Sequence, residues 1–230
     1  MIAENLKNIE ERICNACKRA GRERKEVTLI AVSKTKPISM LQDVYACNIR
    51  HFGENKVQEL TEKYPQMPQD VNWHLIGHLQ RNKIKYIVDK VKMIHSVDSL
   101  RLAEAIHKEA LKKGVVVDVL LEVNIAEEES KFGFKEKELL EVIEELSQLS
   151  GIRVKGLMTI APYVENPEEN RAVFAQLRKL SVDIANKNID NISVNILSMG
   201  MTGDFEVAIE EGATMIRVGT AIFGERNYNI

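Results

Sequence analysis

The sequence predicts a single (β/α)8 barrel of the TIM type, preceded by one extra N-terminal helix. Residues 1–230 form one domain. Three observations predict this. Eight short apolar runs rich in β-branched residues alternate with helical stretches, the pattern of a parallel sheet wrapped in helices. Eight such units in a chain of 230 residues match the size of a closed barrel. No run is followed by the Gly-rich fingerprint of an open dinucleotide-binding sheet, although a doubly wound sheet stays open as the alternative. No Pro-, Gly- or Ser-rich linker divides the chain.

The expected strands are Val27–Ser33, His51–Gly53, Trp73–Gly77, Met93–Ser96, Val115–Val123, Ile152–Ile160, Ser193–Ser198 and Met215–Gly219. Helical periodicity marks residues 1–20, then Ser39–Cys47, Val57–Lys63, Asn82–Lys90, Leu100–Lys113, Glu136–Leu149, Pro167–Asn186 and Phe205–Glu211. In the leading helix Leu6, Ile9, Ile13 and Cys17 share a face. That places Cys14 and Cys17 inside a helix as small buried hydrophobes, not as a redox or zinc pair; three cysteines give no disulfide framework.

Composition narrows the function classes. The chain is 44% hydrophobic and 29% charged with a net charge of −2, which suits an ordinary globular protein and gives no basic footprint for nucleic acid. The basic residues Arg81, Lys83, Lys85, Lys90 and Lys92 read as a solvated helix face. The N-terminal segment is too polar for a signal peptide, and no apolar run is long enough to cross a membrane. A cytoplasmic location is expected.

In a barrel of this kind function sits at the C-terminal strand ends. The first strand ends in AVSKTKP, where parity puts Thr28, Ile30, Val32 and Lys34 on one face. An inward lysine is either reactive toward aldehydes or snorkels to the rim. Lys36 competes for the same role by parity but directly precedes Pro37. The last strand, ATMIRVGT, points Arg217 inward with Met215 and leaves Gly219 and Thr220 just past its end. A buried guanidinium requires an electron-rich partner. The seventh run ends in LSMGMTGD, with Ser198, Gly200 and Gly203 before a helix beginning at Asp204, an arrangement that suits a phosphate or a capped turn. Asn55 enters a helix after strand two. His74 and His78 lack the helix and glutamate of a metalloprotease site, so no metal is expected. Asn124, Glu127, Ser130 and Lys131 are rim or loop residues.

These segments, AVSKTKP, FGEN, WHLIG, LSMGM and IRVGTAIFG, resemble the pyridoxal phosphate homeostasis protein family, whose barrel is related to the N-terminal domain of alanine racemase. The resemblance runs from the leading helix to Tyr228. It implies that Lys34 carries pyridoxal 5′-phosphate as a Schiff base. It also implies that Ser198, Gly219 and Thr220 hold the phosphate and that Arg217 faces the ring nitrogen; Asn55 and Gly200 join this cofactor-binding set. The function implied is binding, storage or delivery of the cofactor without robust turnover, to apo forms of enzymes that use it. An amino-acid racemase is the alternative. It would need a second base, which the related racemases take from an additional domain. In this chain the barrel itself would have to supply it, and Tyr163 and His74 are the candidates. A monomer is expected, and the loop Asn124–Phe134, with Lys131, is the candidate for a hand-off region or a second cofactor site.

Overall fold

Every parallel strand of a (β/α)8 sheet needs a connection that returns the chain to the same edge, and the computed structural model shows how this sequence makes eight of them. The structure describes residues 1–128 and 131–225; Ser130 and Tyr228 lie outside these. Helix α1 (Ile2–Arg19) leads. Then β1 (Thr28–Val32), α2 (Ile38–Ala46), β2 (His51–Glu54), α3 (Val57–Lys63), β3 (Asn72–Leu75) and β4 (Met93–Val97) follow. The second half runs α4 (Leu100–Lys113), β5 (Val117–Glu122), α5 (Glu136–Ser147), β6 (Ile152–Met158), α6 (Arg171–Ala185), β7 (Ile192–Ser198), α7 (Phe205–Glu210), β8 (Met215–Val218) and α8 (Thr220–Phe223). The eight strands pair in sequence order, and β8 closes on β1 through Thr28–Met215, Leu29–Ile216, Ile30–Arg217 and Ala31–Val218.

Period-two burial separates two apolar layers. Leu29, Ala31, Ile216 and Val218 face outward into the large core under the helices. Ile30, Met93, Leu120, Met158 and Met215 fill the barrel interior. Alternation along each strand thus sorts side chains between the two layers, and the parity expected for β1 and β8 is the one observed.

One connection departs from expectation. Between β3 and β4 the predicted helix Asn82–Lys90 is instead a 3-10 turn at Arg81–Tyr86 followed by loose turns. Ile84, Ile87 and Val88 are all buried, a spacing that an α-helix satisfies as well, so the sequence pattern does not account for the 3-10 form. The basic side chains of this segment project around that short element as a solvated surface, with Lys83 and Lys85 near the Tyr86 ring.

Helix α1 lies over the closure between the last and first units. Its buried face, Leu6, Ile9, Ile13, Ala16 and Cys17, packs on α7 and α8. Arg12 stacks over Phe205 and pairs with Glu206 at 2.8 Å, and Arg19 reaches Glu206 and Glu210. Such exposed pairs contribute little each; the apolar face does the holding. Cys14 is half-buried and Cys17 buried, both as free thiols. Because Ile13 is fully buried, Ile13→Ala should lower unfolding free energy by about 3 kcal/mol. A urea titration will show this as a lower midpoint at unchanged slope; a loss below about 1 kcal/mol would mean that α1 is not part of the cooperative unit.

Candidate functional site

A cavity of about 570 Å³ opens at the C-terminal ends of the strands, within the usual range for a small-molecule site. The ends of β1, β2, β6, β7 and β8 all reach it: Lys34, Asn55, the loop after β6, Met201–Asp204, and Arg217 with Gly219 and Thr220.

Lys34 sits on a turn that is held from below. Thr35 takes a positive φ of 64°, unfavourable for a β-branched residue. Its N–H donates to the Glu59 carboxylate, and its hydroxyl donates to the carbonyl of Lys34 at 2.6 Å. Beneath it, Lys63 Nζ donates to the Ser33 carbonyl (2.7 Å), Glu54 (2.8 Å) and Glu59 (2.7 Å), and Ser33 Oγ donates to Glu54 at 2.6 Å. Burial pushes the Glu54 carboxyl above its ordinary range, opposed by Lys63 and Ser33. Lys36 is the competitor from the sequence. Its amine donates to the carbonyls of Phe223, Gly224 and Glu225 at the end of α8, a favourable place for a cation, whereas Lys34 lines the cavity.

Arg217 is buried on β8, 4% exposed. It donates to Ser198 Oγ at 2.6 Å and to the Thr159 carbonyl at 2.9 Å. Burial pulls its pKa down to about 10, against the opposing pull of Glu122 and Asp204. Glu122 is pushed up to about 7, first by burial and then by Asp98, with Arg217 opposing. Asn55 Oδ1 is buried without a hydrogen-bond partner. Its backbone lies so close to residue 77 that a Cβ there would come within 2.6 Å of the Asn55 carbonyl, so glycine is required at 77.

The β7 end differs from expectation in which residues it presents. Ser198 is fully buried beneath the site, against Arg217 and His95, and does not reach the cavity wall; nor does Gly200. Gly200 has φ +89°, and a Cβ there would stand 2.5 Å from that of Ala208. It is the bend that carries Met201, Thr202 and Gly203 to the wall. Asp204 locks that bend by accepting from Met201 N at 2.7 Å and Asn170 Nδ2 at 2.8 Å, rather than by capping α7. The glycines of MGMTGD were the available signal for this segment. The bend itself, which decides which of its residues face inward, follows from the close packing on Ala208.

Of the two candidate second bases, Tyr163 is at the cavity rim but 96% exposed. His74 is inside the barrel between His51 and His95 and away from the cavity wall. His78 is exposed and stacks on Phe132 at 3.8 Å. No cluster of three or more metal-ligating side chains occurs among the described residues. Lys131 pairs with Glu128 and touches both the main cavity and a smaller one of about 140 Å³.

The barrel has known counterparts. The alanine racemase N-terminal domain family matches residues 5–227. The pyridoxal phosphate homeostasis protein of Aquifex aeolicus is 47% identical over 98% of both chains, and that of Pseudomonas aeruginosa 39% over 99% of this chain and 96% of its own. The chain belongs to the pyridoxal phosphate homeostasis protein family. Among solved structures, PipY of Synechococcus elongatus with pyridoxal phosphate bound superimposes with a TM-score of 0.85 at 37% identity, covering 97% of this chain and 100% of that one. Alanine racemase of Clostridium difficile shares the fold at 16% identity and a TM-score of 0.75, and this chain covers 58% of its length.

The raised Glu122 carboxyl gives a pH dependence with a definite sign. Its folded pKa of about 7 lies above the ordinary 4.5, so the folded state binds the extra proton in that window. Stability should therefore fall as pH rises from 4.5 to about 7, by up to about 3 kcal/mol. Denaturant titrations at several pH values should show that slope flattened in Glu122→Gln; an unchanged slope would refute the assignment.

Proposed function

We propose that this chain binds pyridoxal 5′-phosphate in the strand-end cavity through Lys34, and that it holds and delivers the cofactor rather than running an amino-acid reaction on it. The observation that carries this is the pairing in one cavity of a lysine set on a braced turn with a buried, donor-only guanidinium. The donor set fits the group. Lys34 supplies the amine that would bond the aldehyde carbon. Thr202, Gly203, Gly219 and Thr220 offer backbone N–H groups and hydroxyls to a phosphate. The buried amide of Asn55, with unmet hydrogen-bonding capacity, would take a ring substituent.

Bound cofactor supplies an electron sink for carbanions next to an amine. Arg217 works against a strong sink. Facing the ring nitrogen, it can only donate a hydrogen bond, and its charge disfavours a proton on that nitrogen. Racemisation also needs a base on each face of the carbon. Lys34 would serve one face; Tyr163 is solvated and His74 is sequestered, so neither suits the other. Both features support the carrier reading, as do the relatives' names. No described helix is long and apolar enough to cross a membrane. We infer a cytoplasmic, monomeric carrier whose recipients are apo enzymes.

Borohydride reduction of the loaded protein followed by peptide mass spectrometry should place the adduct on Lys34 and lose it in Lys34→Ala while the fold persists. An adduct on Lys36 would overturn the assignment. Mixed with an apo-aminotransferase, loaded protein should restore its activity. Lys131→Ala should change the transfer rate several-fold more than equilibrium loading. Robust racemisation of alanine with no transfer would replace the carrier reading by the racemase.

A further inference from the structure

Arg217 is the upper end of a chain of side chains that crosses the barrel interior. His51 Nδ1 lies 2.9 Å from His74 Nε2, His74 Nδ1 2.9 Å from His95 Nε2, and His95 Nδ1 2.9 Å from Ser198 Oγ. Ser198 Oγ in turn accepts from Arg217 at 2.6 Å. His74, His95 and Ser198 are fully buried. His51, the first residue of β2, is half-buried at the opposite end of the barrel from the cavity.

With the guanidinium donating to Ser198, one direction of this chain uses every hydrogen in it. Arginine has no acceptor, so Ser198 must accept from it, which leaves the Ser198 hydrogen to donate to His95 Nδ1. A neutral imidazole that accepts on one nitrogen donates from the other. His95 therefore donates from Nε2 to His74, and His74 from Nε2 to His51. All four groups are satisfied in a single order. A histidine-rich interior in which His74 has two ring neighbours and His95 a ring and a hydroxyl is more than packing requires, since Met, Leu and Ile fill the remaining interior.

We propose that His51, His74, His95 and Ser198 are positioning residues that set the hydrogen-bond state of Arg217 and tie it to protonation at the far end of the barrel. When His51 takes up one proton from solvent, both its nitrogens become donors. His74 Nε2 must then accept, and so must His95 Nε2. Each buried imidazole keeps one hydrogen but moves it to Nδ1, and the net gain is the one proton on His51. His95 now donates to Ser198. That oxygen then accepts from both His95 and Arg217 and no longer donates along the chain, so the bond on which Arg217 rests weakens.

The charged groups around the chain hold it neutral otherwise. Lys92 faces His51 and His74, and Arg217 faces His95; together with burial they press all three imidazoles below their usual range, His74 to about 3. Glu122 and Asp204 face Arg217 itself. The half-buried His51 is thus the site of uptake. The consequence for the bound cofactor rests on the reading above, but the chain can be tested without it.

Long-range proton–nitrogen NMR of the purified full-length chain, labelled at histidine and arginine, reads each ring's tautomer. At neutral pH, His74 and His95 should both carry hydrogen on Nε2. As His51 titrates on acidification, their Nδ1 and Nε2 signals should exchange character at the His51 midpoint, and the Arg217 side-chain signals should shift with them. His51→Gln keeps an acceptor for His74 but cannot take a proton, so in it the tautomers should stay constant over the same range and Arg217 should keep only the shift that the titration of its neighbour Glu122 causes. Two results would overturn the proposal: tautomers that hold while His51 titrates, or Arg217 signals that behave alike in the two proteins. If the cofactor reading were wrong, the Lys34 adduct would be missing while these signals still moved together.

Discussion

A guanidinium that is always charged, placed inside a barrel, sets the terms for everything around it. Arg217 gives up most of its hydration and receives in return Ser198 Oγ, the Thr159 carbonyl and the nearby charges of Glu122 and Asp204. An unmatched buried charge would cost several kcal/mol, so these partners must be in place before the interior can close. Ser198 then needs His95, His95 needs His74, and a polar column runs through a core that elsewhere is Met, Leu and Ile. Glu122 answers the same charge from β5 and is itself held partly protonated by burial. Beneath the mouth of the barrel, the Arg217 charge is therefore balanced in part by a Glu122 carboxyl that can give way.

On the β1 side the arrangement is different in kind. Lys63, Glu54, Glu59 and Ser33 form a closed ionic knot, and its purpose in the fold is to hold a turn that Thr35 would not choose for itself. That turn separates two lysines two residues apart. Lys34 is directed to the cavity, while Lys36 serves the carbonyls that end α8. Backbone strain is tolerated where the surroundings over-determine it, and here three hydrogen bonds from one ammonium do so.

Much of this was legible in residue order. Alternating runs announced the barrel, and strand parity placed Lys34 and Arg217 inward, because period-two alternation is a local property that survives closure. What parity could not supply were contacts between distant segments. That Lys36 donates to the carbonyls of residues 223–225 could be seen only in the fold. Ser198 was given a phosphate by resemblance, and residue order could not show that the Gly200 bend puts Met201, Thr202 and Gly203 on the cavity wall with Ser198 buried beneath them. His51, His74 and His95 lie more than twenty residues apart in successive strands, and nothing short of the barrel's register shows that they touch. The short 3-10 turn at Arg81–Tyr86 was hidden because the buried Ile84, Ile87 and Val88 around it carry the spacing of an α-helix.

The seam between β1 and β8 has a further consequence, for biosynthesis. Thr28 pairs with Met215, so the first strand leaves the ribosome and waits for the last. At ~5–20 residues per second that delay is roughly 10–40 s, during which the edge of β1 has no neighbour on one side. Lys34 and Arg217 belong to the two strands that meet there. No shortened or nascent form of the chain can bring them together, so the binding site comes into being at the moment the ring of strands is complete, and capture of a ligand would report that the polypeptide has finished folding.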